Sequence, residues 1–153
     1  MLELVGMNLW QYLLVLAVAS ALTIKLVLKP KRVKPALLLG LFLALLDFAV
    51  QNLAAYKNLW YSSGSLLFLG AVPVEVFLIA ILAGFTYRIV FSRGFDLKFA
   101  FASSLLIATV AVGLEAFLIN EKLLYYANWN SWLALTAYFA VFMALNYLNT
   151  RVE

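Results

Sequence analysis

The chain lacks two residue types that carry much of protein chemistry. It has no cysteine, which excludes disulfides, thiol nucleophiles, iron–sulfur clusters and thiolate zinc sites. It has no histidine either, which removes the commonest metal ligand, haem ligation by imidazole and the usual general base. Acid–base chemistry must then come from Asp, Glu, Lys or Tyr. Charge is also scarce, at 12% of 153 residues with only seven acids. Alternating polarity, the mark of a membrane β-barrel, is absent, so spanning strands are not expected.

What remains is apolar. Two thirds of the chain is hydrophobic and its mean hydropathy is +1.02, whereas a soluble domain is nearer half apolar and a quarter charged. This surplus calls for lipid as solvent. The expected fold is all-α: an integral membrane bundle of five transmembrane helices, multi-pass in the cell membrane. The expected spans are 8–28, 35–55, 65–90, 97–119 and 129–148, each long enough for a core of about 30 Å. The third carries Pro73, which predicts a kink or a short broken segment over 65–70. The first apolar run follows the acidic Glu3 and has no clear small-residue cleavage site, so it is read as a helix and not as a signal peptide.

Basic residues orient the bundle. Lys25, Lys29, Lys31, Arg32, Lys34, Arg88, Arg93, Lys98 and Arg151 fall on one side of this layout, and only Lys57 and Lys122 on the other. The expectation is an outward N-terminus and a cytoplasmic C-terminus. The net charge of +4 is then a topology signal directed at membrane lipids, and nucleic acid is not an expected partner. Trp10, Tyr12, Tyr56, Trp60, Tyr61, Tyr125, Tyr126, Trp129 and Trp132 gather at the predicted outer ends, where amphipathic rings favour the interface.

The two outer loops resemble each other. Asp47 precedes Asn52 by five residues and is followed by Tyr56 and Trp60; Glu115 precedes Asn120 by five and is followed by Tyr125, Tyr126 and Trp129. This pattern predicts two tandem helical hairpins in one transmembrane domain: residues 35–96 and 97–153, after a first helix and basic loop over 1–34.

The candidate site follows from polarity in the wrong solvent. Asp47, Glu75 and Glu115, with Asn52 and Asn120, map to the outer half of the bilayer at overlapping depths. A charge there costs about 2.5–3.5 kcal/mol, so all three acids should face inward, and one chamber can hold them. They either bond neighbouring helices or form a ligand or reaction site lined by Tyr56, Trp60, Tyr61, Tyr126 and Trp129. The acids show no spacing that selects a metal, and no cofactor is expected.

The order Asp47, Trp60–Tyr61, then Gly70-Ala-Val-Pro73-Val-Glu75-Val-Phe77 resembles the small-membrane-type lycopene cyclase domain. The second half, with Glu115, Tyr126, Asn128 and Trp129, is also similar to small multispanning proteins of bacteria. The cyclase domains occur as tandem or heterodimeric units and carry a tryptophan–tyrosine pair and a Pro-x-Glu-Glu motif. They cyclise linear carotenoids by proton-initiated carbocation chemistry without net redox. The second glutamate of that motif is Val76 here. The resemblance therefore carries the catalytic acid to Glu75 alone, with Asp47 and Glu115 as companion candidates, and it implies an isoprenoid ligand and a homo- or hetero-oligomer. Two main readings stand. One is a membrane protein whose pocket binds a lipid, isoprenoid or cation, or which serves as an accessory subunit. The other is an isoprenoid cyclase. A small-solute transporter is a third.

Overall fold

A computed structural model of the chain describes residues 8–30, 33–91 and 96–150. Glu3, Lys31, Arg32, Arg93 and Arg151, used above, lie outside the described residues. Five helices form: α1 (Leu9–Leu28), α2 (Lys34–Tyr56), α3 (Val74–Val90), α4 (Leu97–Asn120) and α5 (Ser131–Asn149). All but α3 are long and apolar enough to cross a membrane; α3 has 17 residues. Large apolar side chains such as Leu16, Leu26, Leu45 and Leu106 are exposed, as lipid-facing positions would be.

Local sequence sets the helix starts. Asn8 and Gln11 make a reciprocal capping box at α1, satisfying two otherwise orphan donors. Pro35 sits in the first turn of α2, where a missing N–H costs nothing. Asp96 caps α4 through the Lys98 amide, and Asn130 caps α5 through the amides of Trp132 and Leu133.

Helices α2 and α3 pack as one hairpin, α4 and α5 as a second, and α1 lies along α3. The first pair touches backbone to backbone. A Cβ added to Gly40 would stand 2.3 Å from the Ile81 carbonyl oxygen, and one on Gly84 would stand 2.7 Å from Gly40 Cα. In the second pair, Asn146 of α5 donates to the hydroxyls of Ser103 (3.3 Å) and Ser104 (3.1 Å) of α4, the small-residue and amide packing that suits helices in lipid.

Short strands do form, in the connections. Helices α2 and α4 end alike: Asn58 (φ 51) and Lys122 (φ 58) are both left-handed, and the amides of Leu59 and Leu123 close onto the carbonyls of Ala54 and Leu118, a Schellman-type stop. Each turn leads into a strand, β1 (Trp60–Ser62) or β4 (Leu124–Tyr126), and these pair antiparallel with Trp60 opposite Tyr126. The ribbon ties the two hairpins together at one end of the bundle. The Trp10 indole of α1 joins it by donating to the Ser63 carbonyl at 2.6 Å.

The expected kink at Pro73 is not found. Between β1 and α3 the chain makes a second ribbon, β2 (Phe68–Leu69) with β3 (Val72–Pro73), turning at Gly70 with φ +61. Pro73 is the N-cap of α3, so its ring starts a helix and does not interrupt one. The third span is thus a ribbon followed by a helix, and the expected segment over 65–70 is not helical.

At the far end the hairpins are joined again. Arg88 of α3 donates to both the backbone carbonyl and the side-chain oxygen of Asn149 on α5, while the Asn149 amide donates to the Phe91 carbonyl at 2.6 Å. Leu39, Tyr87 and Leu145 form a buried cluster beside them, and the Tyr87 ring packs at a tilt against Phe91 and Phe142.

Candidate functional site

Tied at both ends, the two hairpins part in the middle. The space between them is a chamber of about 440 Å³ to which all five helices contribute. Its walls stand apart because the facing positions are small, with Ala80 and Ala83 on α3, Ala111 on α4, and Ala134 and Ala137 on α5. Trp60 and Trp129, from opposite hairpins, meet with ring centroids 4.7 Å apart and line it towards the ribbon. Trp10 and Leu118 border it beside α1, and Phe142 stands towards the aromatic cluster. Ala137 and Leu114 line the chamber and are exposed, so the space is only partly enclosed.

Two of the three predicted acids meet here, one from each hairpin. Asp47 of α2 lines the chamber and accepts a 2.8 Å hydrogen bond from the amide of Gln51, one turn on. Glu115 of α4 lines it from the other hairpin, and both of its oxygens are engaged. Tyr126 donates to one, and Tyr138 of α5 donates to the other at 2.7 Å. Burial, then the hydrogen bond and charge of Glu115, raises the Tyr126 phenol above its ordinary value; both effects disfavour a phenolate.

The third acid is elsewhere. Glu75 is 7% exposed, yet it is not on the chamber wall; its carboxylate accepts from the Ser65 hydroxyl at 2.6 Å. The reason is geometric. Helical side chains lean towards the N-terminus, and Glu75 is in the first turn of α3, so it leans back to Ser65 in the loop before β2. The expectation of one chamber holding three acids is corrected to two. No group of three or more acids that could hold a metal occurs among the described residues.

The predicted polar partners divide as well. Asn52 is structural: its oxygen accepts from the Ala71 amide at 3.0 Å and its amide donates to the Phe48 carbonyl, pinning the turn at Gly70. Asn120 is exposed, and its side-chain amide donates to Glu121 over a long 3.5 Å. Tyr56 is 82% exposed, and its ring faces the Lys57 ammonium at 5.5 Å. Tyr61 stacks on Tyr125 at 5.0 Å across the ribbon, half exposed. Of the ligand-binding candidates, Trp60 and Trp129 line the chamber, and Tyr126 reaches it through Glu115.

Sequence reading missed Tyr138 and the role of Gln51. Tyr138 lies 23 residues from Glu115, and no local pattern signals that pairing. Gln51 was recoverable, since an amide four residues after an acid faces it on a helix.

The matching turns set the two hairpins in a different correspondence from the one expected from the sequence pattern. Asn58 corresponds to Lys122 and Leu59 to Leu123, an offset of 64 residues, whereas aligning Asp47 with Glu115 implies 68, one helical turn more. In the structural register Glu115 corresponds to Gln51, and Asp47 to Ala111. Compared with known proteins, the chain matches no family model, no curated protein and no solved structure.

Proposed function

We propose that this is an integral membrane protein that holds a largely apolar small molecule, a lipid or isoprenoid, in the chamber between its two hairpins. One observation carries the reading: a mostly apolar space of about 440 Å³, with a carboxylate from each hairpin and a tryptophan pair between them. The volume lies in the range of small-molecule sites, which combine apolar walls with a few convergent polar groups. Water would find few partners on such walls, whereas an acyl or prenyl chain from the bilayer fits them and can enter where Ala137 and Leu114 are exposed. The tandem hairpins read as a duplicated unit with the ligand at their interface, as in parallel-repeat membrane proteins. Basic residues orient the ribbon end outwards in the cell membrane.

The test is to purify the protein in detergent and extract what accompanies it for mass spectrometry, comparing the wild type with Ala137→Phe, which fills the chamber. A specific apolar species should accompany the wild type and be depleted in the variant. Identical extracts from two equally folded proteins would refute the reading.

A second reading, isoprenoid cyclisation, is favoured by Asp47, an acid among aromatic rings whose side chain accepts a hydrogen bond from Gln51. Rings such as Trp60, Trp129 and Phe142 can stabilise a carbocation by their faces. It moves the proton-donor role from Glu75 to Asp47. Expression in a lycopene-accumulating bacterium would produce cyclised pigment, abolished by Asp47→Asn; unchanged lycopene with the protein in the membrane would exclude lycopene as substrate.

A further inference from the structure

We infer that the occupant of the chamber carries a positive charge: an organic cation of the alkylammonium class, with its apolar chain along the alanine walls and its head between Asp47 and Glu115. This rests on the chamber being a binding site and adds the charge of the ligand.

The chamber is electrostatically one-sided. It contains two acids and, among the described residues that line it, no lysine or arginine. The bonds to Asp47 and Glu115 come from neutral donors, an amide and two phenols. A carboxylate in low dielectric is costly without a counter-charge, and two facing one space raise that cost. The protein places its own cations elsewhere: Lys57 and Lys122 sit in the turns next to the ribbon, and Arg88 is held by Asn149 at the far end. Left alone, such acids would be neutralised by protons; a cationic ligand would supply the missing positive charge instead.

The aromatic lining fits the same head. Trp60 and Trp129 both line the chamber, tilted at 51° to each other, and indole is the best cation–π surface among side chains. A quaternary alkylammonium has no N–H to satisfy, so it can use both the carboxylates and the indole faces. An anionic head would meet two acids and no base. A neutral head would gain hydrogen bonds but would leave the charge uncompensated.

The chain carries its own reporter, since three of its four tryptophans, Trp10, Trp60 and Trp129, line the chamber. Full-length protein in nanodiscs of neutral lipid is titrated with decyltrimethylammonium, 1-decanol and decyl sulfate, which share a chain and differ in head charge. Tryptophan emission is the readout, and Ala137→Phe is the blank for partition into lipid. The ammonium should bind about tenfold more tightly than the alcohol, with the sulfate weakest. Asp47→Asn should lose much of that preference without unfolding, because its oxygen can still accept from Gln51; adding Glu115→Gln should bring the ammonium to the level of the alcohol. Equal binding of the three probes, or preference for the sulfate, would overturn the inference while leaving an apolar site standing. No binding above the Ala137→Phe blank would remove the site and the inference together.

Discussion

The contact that sets the first wall of the chamber can be tested with one methyl group. Gly40 lies two turns before Asp47 on α2, where α2 and α3 meet backbone to backbone. In Gly40→Ala the new Cβ would be 2.3 Å from the Ile81 carbonyl oxygen. Restoring ordinary contact requires the helices to separate by about 1 Å. Overpacking of this kind costs about 1–3 kcal/mol. Alanine's better helix propensity returns about 0.5–1 kcal/mol of that, leaving a net loss centred on about 1 kcal/mol. At about 2–4 °C per kcal/mol for a chain of this size, the midpoint of thermal unfolding in detergent should fall by several degrees.

Gly113 supplies the control. It is also a helical glycine, in α4, and a Cβ there meets nothing within 4 Å. Gly113→Ala should keep the propensity gain alone and be neutral or stabilised by about 0.5–1 kcal/mol. The two substitutions are chemically identical and differ only in what the methyl meets. A Gly40→Ala protein as stable as the wild type would show that the helices do not touch there, and the position assigned to Asp47 would fall with it.

Two further substitutions probe the ribbon end. Asn52→Leu removes the acceptor for the Ala71 amide and the donor to Phe48; leaving a half-buried amide unpaired costs about 1–3 kcal/mol, so proteolysis within residues 65–73 should rise before the helices unfold, and an unchanged cleavage pattern would deny Asn52 its pinning role. Tyr126 is a neutral acid whose folded value is raised by burial and by Glu115, so it contributes stability that is fully present below about pH 10, where the unfolded chain's phenol ionises. That contribution is lost as pH rises further towards the folded value. The unfolding midpoint of Tyr126→Phe should therefore fall less than the wild type's between pH 9 and pH 11, and parallel declines would contradict the Tyr126–Glu115 pairing.

The helices were legible because each is a long apolar run bounded by its own stop signals. The expected ends of α1, α2, α4 and α5 fall within two residues of those observed. The β2–β3 ribbon was not legible, since Phe68, Leu69 and Val72 are as apolar as a helix and hydropathy cannot separate the two. Only Gly70, where a positive φ is needed, and the proline three residues later suggest a turn followed by a helix start. Depth along the helices was also readable, and it brought Asp47 and Glu115 to the same space. Direction was not: Glu75 has the right depth, but its place in the first turn of α3 aims it at Ser65.

The correspondence between the two hairpins bears on the symmetry of the chamber. Had Asp47 and Glu115 been equivalent positions, the chamber would carry the same acid twice about an axis of symmetry. The turns instead match Glu115 to Gln51 and Asp47 to Ala111, so each hairpin contributes one acid, one turn out of step with the other. On the first hairpin the position equivalent to Glu115 is the amide that donates to Asp47; on the second, Glu115 takes its donors from Tyr126 and Tyr138. A symmetric pocket would suit a symmetric ligand or a dimer of half-sites. This one has unequal ends, a carboxylate held by two phenols and a carboxylate bonded to an amide, so a ligand lying between them would meet two different ends. Exchanging the equivalent pair, Gln51→Glu with Glu115→Gln, keeps the number of acids and moves one of them between hairpins. If the unequal ends orient the ligand, this double variant should bind decyltrimethylammonium several-fold more weakly than the wild type, and equal affinity would show that only the total charge in the chamber matters.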